Sequence, residues 1–155
     1  PGLAEKMLRR NDGAAMKQVM RSSAVDKNAF PDAVGEVYWR NAMQPGALTA
    51  MVNYYRALVR GGGAKRQRAQ GLPVIETPTL MVWGEEDVAL TKETTYGTEN
   101  YVRDLTIRYL PRVSHWVQQE QPEAVNAMIE AFLKGEQVPE LVWQAVLETK
   151  PEAGE

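Results

Sequence analysis

Apolar residues recur at helical spacing through the first sixty positions, and continuous apolar runs appear only later. Leu48, Met51, Val52, Tyr55, Leu58 and Val59 fall at i, i+3, i+4, i+7, i+10 and i+11, which is one stripe of an amphipathic helix. Pro45 before the stripe and Gly61 after it mark its two ends. A shorter helix is predicted from Pro31, carrying Val34, Val37, Tyr38 and Met43, and residues 3–21 read as helical with an interruption at Asn11-Asp12-Gly13. No strand pattern precedes residue 70. Past Gly61-Gly62-Gly63 a basic connector with Lys65, Arg66 and Arg68 leads to Thr79-Leu80-Met81-Val82-Trp83, an apolar run stopped by Gly84. Its length and flanking Pro78 and Gly84 predict a strand buried on both faces. A second strand is predicted at Thr106–Leu110, stopped by Pro111. The 22 residues between them (84–105) hold a weakly helical stretch from Lys92 to Val102, long enough for a crossover joining parallel strands. Pro122 opens a last clear helix with Val125, Met128, Ile129, Phe132 and Leu133 on one face, closed by Gly135. One more short helix is expected around Leu141, Val142, Ala145 and Val146, with a frayed acidic end.

The strand–helix–strand–helix order from 79 to 133 is an α/β signature. Two strands cannot make a stable sheet of that class, so further strands are expected from elsewhere. Three regions follow: a helical segment over 1–68, an α/β core segment over 69–135 and a helical tail over 136–155. The opening on Pro1, with no basic-then-apolar leader, points to a soluble, cytoplasmic protein represented by a piece of its sequence.

Composition narrows the chemistry. The 155 residues contain no Cys and one His, which removes disulfides, thiolate nucleophiles and every site needing two imidazoles. A net charge of −2 gives no reason to expect nucleic acid or an anionic membrane as partner, and the short basic run is expected to be a solvated loop. Glu85, Glu86 and Glu120 are too dispersed for a metal site, and Gly61-Gly62-Gly63-Ala64-Lys65 lacks the spacing of a phosphate loop. No cofactor or metal is expected.

Asp87 lies three residues beyond Gly84, and His115 five beyond Leu110, each just past the carboxyl end of a predicted strand. Ligands and catalytic groups of open parallel sheets gather there. If the strands are neighbours about 5 Å apart, an Asp and a His separated by 28 positions meet. A carboxylate orienting an imidazole is two-thirds of a hydrolytic triad. Each residue also has a plainer explanation: Asp after a strand as a turn residue, a lone loop His as a surface group, and Tyr55 as packing on the helical stripe.

The segments Pro78–Asp87 and Ser114–Pro122, continued by Glu123-Ala124-Val125-Asn126 and Phe132-Leu133, resemble the α/β-hydrolase superfamily, and within it the soluble epoxide hydrolases and their dehalogenase relatives. Gln44-Pro45-Gly46-Ala47-Leu48 and Asn53-Tyr54-Tyr55-Arg56 are similar to the helix of that family's cap. The resemblance implies a mostly parallel sheet under a helical cap, of which this chain holds the C-terminal half. It implies Asp87 as the acid that orients the base, His115 as the base that activates water against a covalent ester, and Tyr55 as donor to the epoxide oxygen. The nucleophilic Asp and oxyanion segment would lie in an N-terminal half, a required partner supplied by a second chain or by residues before Pro1. The expected activity is opening of small-molecule epoxides to vicinal diols for detoxification, without cofactor, with a homodimer left open. A dehalogenase of the same fold and a non-catalytic relative are the alternatives. Ser114 departs from the family's usual Gly, which puts the conformation of the His115 loop in question.

Overall fold

The computed structural model describes residues 2–141. The N-terminal third is a stack of helices. Helix α1 (Leu3–Leu8) ends in a 3₁₀ turn, where Asn11 and Asp12 take φ near 50° before Gly13 at φ 73°. That left-handed corner is the predicted interruption. Gly13 admits no side chain, because a Cβ there would sit 2.2 Å from the Trp39 ring. Helices α2 (Ala14–Ser22), α3 (Asp32–Ala42) and α4 (Ala47–Arg60) follow as the periodicity predicts. Met20, Ala24 and Phe30 form a small core against which Met16, Val34, Tyr38 and Trp116 pack. Helix α1 is tied to α4 by an ion pair the spacing does not reveal. Glu5 is 1% exposed and is gripped through both oxygens by Arg56, at 2.7 and 2.8 Å. The hydrogen bonds from Arg56 hold the Glu5 carboxyl down at about 2.

The basic segment expected to be a loop is instead helix α5 (Gly63–Gln70). Lys, Arg, Gln and Ala favour helix intrinsically, so α5 forms without an apolar face. Strands β1 (Thr79–Gly84) and β2 (Leu105–Leu110) pair in parallel, with Thr79 opposite Leu105 and Gly84 opposite Leu110. An outlying bridge joins Ile75 to Val102. The crossover contains no α-helix: Lys92–Thr95 and Thr98–Asn100 are single 3₁₀ turns. Thr91, Thr94, Thr95 and Thr98 with Gly97 are poor helix formers, and Thr94, Thr95 and Thr98 turn their hydroxyls back onto nearby carbonyls. The expected burial of β1 on both faces is also corrected. Thr79 to Trp83 are half-buried and only Gly84 is buried, because among the described residues the sheet is two strands wide.

Short α6 (Val117–Glu120) leads into α7 (Pro122–Lys134), which starts on Pro122 and ends on Gly135 at φ 70°. Its buried face, Val125 and Met128, packs with Leu110, Val113 and Val138 under the sheet. Full burial of side chains such as Leu110 and Met128 stabilises the fold by about 1.5–3 kcal/mol each. Beyond α7 the chain runs back along β2 without a helix as far as Leu141, held by the Arg108 guanidinium donating to Val138 O at 2.7 Å and Pro139 O at 3.0 Å. The remainder of the expected tail helix lies outside the described residues. Among the described residues no helix is long and apolar enough to cross a membrane.

Candidate active site

The loops leaving β1 and β2 are joined by their backbones. Glu85 N–H donates to Leu110 O and Glu86 N–H to Val113 O, both at 3.0 Å. Gly84 makes this approach possible: a Cβ there would lie 2.2 Å from Ser114 O and 2.4 Å from Val113 O. Both obstacles are backbone, so neither can swing aside. Gly84→Ala should therefore destabilise the protein by about 3 kcal/mol, the upper end for an added methyl. A melting temperature lower by roughly 6–12 °C would show it, and an unchanged one would mean the loops are not in contact.

The joined loops place the acid and the imidazole. Asp87 is 8% exposed and turns Oδ1 onto the Ala89 and Leu90 N–H groups, at 2.8 and 2.9 Å. Its Oδ2 lies 2.9 Å from His115 Nδ1. Burial works to raise the Asp87 pKa. The Leu90 amide, the His115 ring and the Ala89 amide together overcome it and hold the carboxyl below its usual range. An ionised carboxylate has no proton to give, so His115 Nδ1 donates in this contact, which leaves Nε2 as the acceptor atom of the neutral ring. The His115 side chain is 35% exposed, enough for that nitrogen to be reached. A half-exposed imidazole held by a buried carboxylate is equipped to take a proton from water.

The loop needs no strain at Ser114. Arg112, at φ 59°, takes the left-handed position of this turn, so the departure from glycine leaves the loop conformation undisturbed. The Ser114 hydroxyl is buried without a hydrogen-bond partner. Trp116 follows His115, its ring edge-on to the imidazole at 5.3 Å and to Phe30 at 5.5 Å.

Tyr55 is not brought onto the pair. It is 67% exposed on α4, against Tyr54 in an edge-to-face contact at 5.7 Å. It is not a core filler, since the stripe sinks into the fold only at Leu48. Tyr55 and Trp116 line one apolar hollow of about 640 Å³, with Met16, Met20, Leu48 and Val52. The hollow is where Tyr55 and the His115 loop share a surface, and Arg56, beside Tyr55, is pinned by Glu5. Tyr38 also lines the hollow, its hydroxyl accepting from Gln119 Nε2 at 3.0 Å. Among the described residues no His, Asp and Glu cluster could hold a metal. The feature that sequence reasoning missed is Glu120, a buried carboxylate that bonds the His115 loop to the helical segment.

No family model matches the chain. It is 34% identical over 138 residues to the AB hydrolase superfamily protein YfhM of Bacillus subtilis, covering 88% of this chain and 46% of that protein. It is 34% identical over 141 residues to Epoxide hydrolase 4 of Mus musculus, covering 88% and 38%. The structure superposes on an epoxide hydrolase from Bacillus megaterium crystallised with its diol product, with a TM-score of 0.70 and 23% identity over 86% of this chain and 48% of that one. The chain spans about half the length of the curated relatives it matches or less.

Proposed function

The chain carries part of an α/β-hydrolase fold, its two parallel strands and a set of helices, and on that premise we propose that it serves an epoxide hydrolase, with Asp87 and His115 as its acid–base pair and Tyr55 as the donor to the epoxide oxygen. The observation that carries this reading is the 2.9 Å contact between buried Asp87 and the Nδ1 of half-exposed His115, at the ends of paired parallel strands. The relatives named epoxide hydrolases support the substrate class.

The reaction runs in two steps. A carboxylate oxygen, from an Asp outside these 155 residues, attacks an epoxide carbon, and the C–O bond breaks as Tyr55 donates its phenolic proton to the departing oxygen. The product is a hydroxyalkyl ester. His115 Nε2 then takes a proton from water as the water oxygen attacks the ester carbonyl, and Asp87 stabilises the imidazolium. Collapse of the tetrahedral species breaks the ester C–O bond: the departing diol oxygen takes the proton held on His115 Nε2, the second water proton returns to the Tyr55 phenolate, and the carboxylate is restored. The apolar hollow suits an apolar substituent on the epoxide.

Tyr55→Phe tests the reading. Loss of one donor at a developing oxyanion should slow ester formation by up to about 10²–10³-fold, with hydrolysis of the preformed ester little changed. Rapid-quench single turnovers measure both steps. Unchanged alkylation would leave Tyr55 a wall residue of the hollow.

A further inference from the structure

Glu120 is buried at the end of α6, five positions beyond His115, and has no part in the chemistry above. Its two oxygens serve two distant segments. Oε1 accepts from Ser114 N–H at 3.0 Å, immediately before the imidazole. Oε2 accepts from Val25 N–H at 2.6 Å and Asp26 N–H at 3.0 Å, some 95 positions earlier, where the chain leaves α2. Two further bonds cross the same seam: Trp116 Nε1 to Ser23 Oγ at 2.8 Å, and Gln119 Nε2 to the Tyr38 hydroxyl. A buried carboxylate is unfavourable unless its oxygens are satisfied. Three backbone N–H groups converging from two segments require two acceptor atoms on one side chain. A glutamine has one acceptor oxygen and would turn its NH₂ toward donors.

We propose that Glu120 is a positioning residue for His115. It fixes the backbone before the imidazole in the register where Nδ1 meets Asp87, and it fastens that register to the helical segment whose Met16, Met20 and Tyr38 line the hollow. This rests on the base role given to His115. Through it, seating of the helical segment and aim of the base become one structural event. A loop displaced by about 1 Å loses on the order of 10² in rate, so release of either oxygen acts on the water-activating step.

The test uses the full-length protein that carries this chain. Glu120→Gln should slow ester hydrolysis 10- to 100-fold in single turnovers, with the alkylation rate and the substrate Kd within about threefold of the parent. The proton on His115 Nδ1, held against Asp87, should give a low-field resonance that His115→Ala deletes. In Glu120→Gln this resonance should broaden or vanish. Glu120→Asp keeps both oxygens but is one methylene short, and it carries the test if the glutamine variant does not fold; a smaller loss of the same kind is expected. A merely structural Glu120 would lower the melting temperature and leave the resonance and the rate per folded molecule intact, which overturns the proposal. The resonance reads positioning without any substrate. Failure of the parent to open epoxides would therefore strike the activity, and an unmoved resonance would strike Glu120 alone.

Discussion

His115→Ala should stop the full-length enzyme after one chemical event. In the proposed mechanism the attacking carboxylate lies outside the pair, so the ester should still form. Without an imidazole no group can take the proton from the incoming water. General-base catalysis by a placed histidine contributes about 10²–10⁴-fold, and steady turnover should fall by that factor while ester formation stays near the parent rate. Intact-mass measurement after adding an epoxide should show one substrate mass retained per enzyme, and peptide mapping of the adduct would identify the nucleophile. Multiple turnover within tenfold of the parent would remove His115 from the mechanism. Because it is the single histidine of these 155 residues, no neighbouring imidazole of this segment can stand in for it.

Asp87→Asn should reach a similar endpoint by another route. The asparagine oxygen can still accept from the Ala89 and Leu90 amides, so the turn that carries it is preserved. Its NH₂ then faces His115 Nδ1 and forces that nitrogen to accept. The ring hydrogen then moves to Nε2, the atom that receives the proton from water in the proposed mechanism. The same exchange in a serine-protease triad costs about 10⁴ in kcat, and a loss of roughly 10³–10⁴ in ester hydrolysis is expected here. Alkylation should be spared, so the ester accumulates in this variant too. A rate within tenfold of the parent would mean that Asp87 is only a turn residue. Burial works to raise the pKa of the parent carboxyl, and the Leu90, His115 and Ala89 bonds outweigh it and hold it below its ordinary value, so loss of activity above the ordinary carboxylate range has another cause than Asp87.

The parts of this arrangement that could be read from the sequence are those set by local pattern. An apolar run bounded by Pro78 and Gly84, and another bounded by Pro111, gave two parallel strands whose ends place Asp87 against His115. The helical stripes of α4 and α7 end where Gly61 and Gly135 stand. Features with no period leave no such signal. Helix α5 has no apolar face, and the threonine-rich crossover contains hydroxyls that compete for the carbonyls a helix would use. Contacts between remote segments leave no local trace at all. The Glu5–Arg56 pair spans 51 positions and the Glu120 bridge to Val25 spans 95, and nothing near either glutamate in sequence marks it as buried. Gly84 stops a strand in the sequence pattern, yet its small size matters most for the carbonyls of Val113 and Ser114 that pass beside it.

The seam at Glu120 also bears on the order in which the chain can assemble. The acid and the imidazole are 28 positions apart, whereas Glu120 and Val25 are 95 apart. Ring-closure entropy grows with the logarithm of loop length, so the longer closure is less favourable by only about 1 kcal/mol. The two strands and their loops can therefore come together first, on contacts of shorter range, and present the Ser114 amide and the Glu120 side chain as a formed edge. Docking of the N-terminal helices onto that edge then adds four hydrogen bonds at once, those to Val25, Asp26, Ser23 and Tyr38. On this sequence of events the acid–base pair is an early product of folding, and the helical layer seats last, onto a dyad already in place.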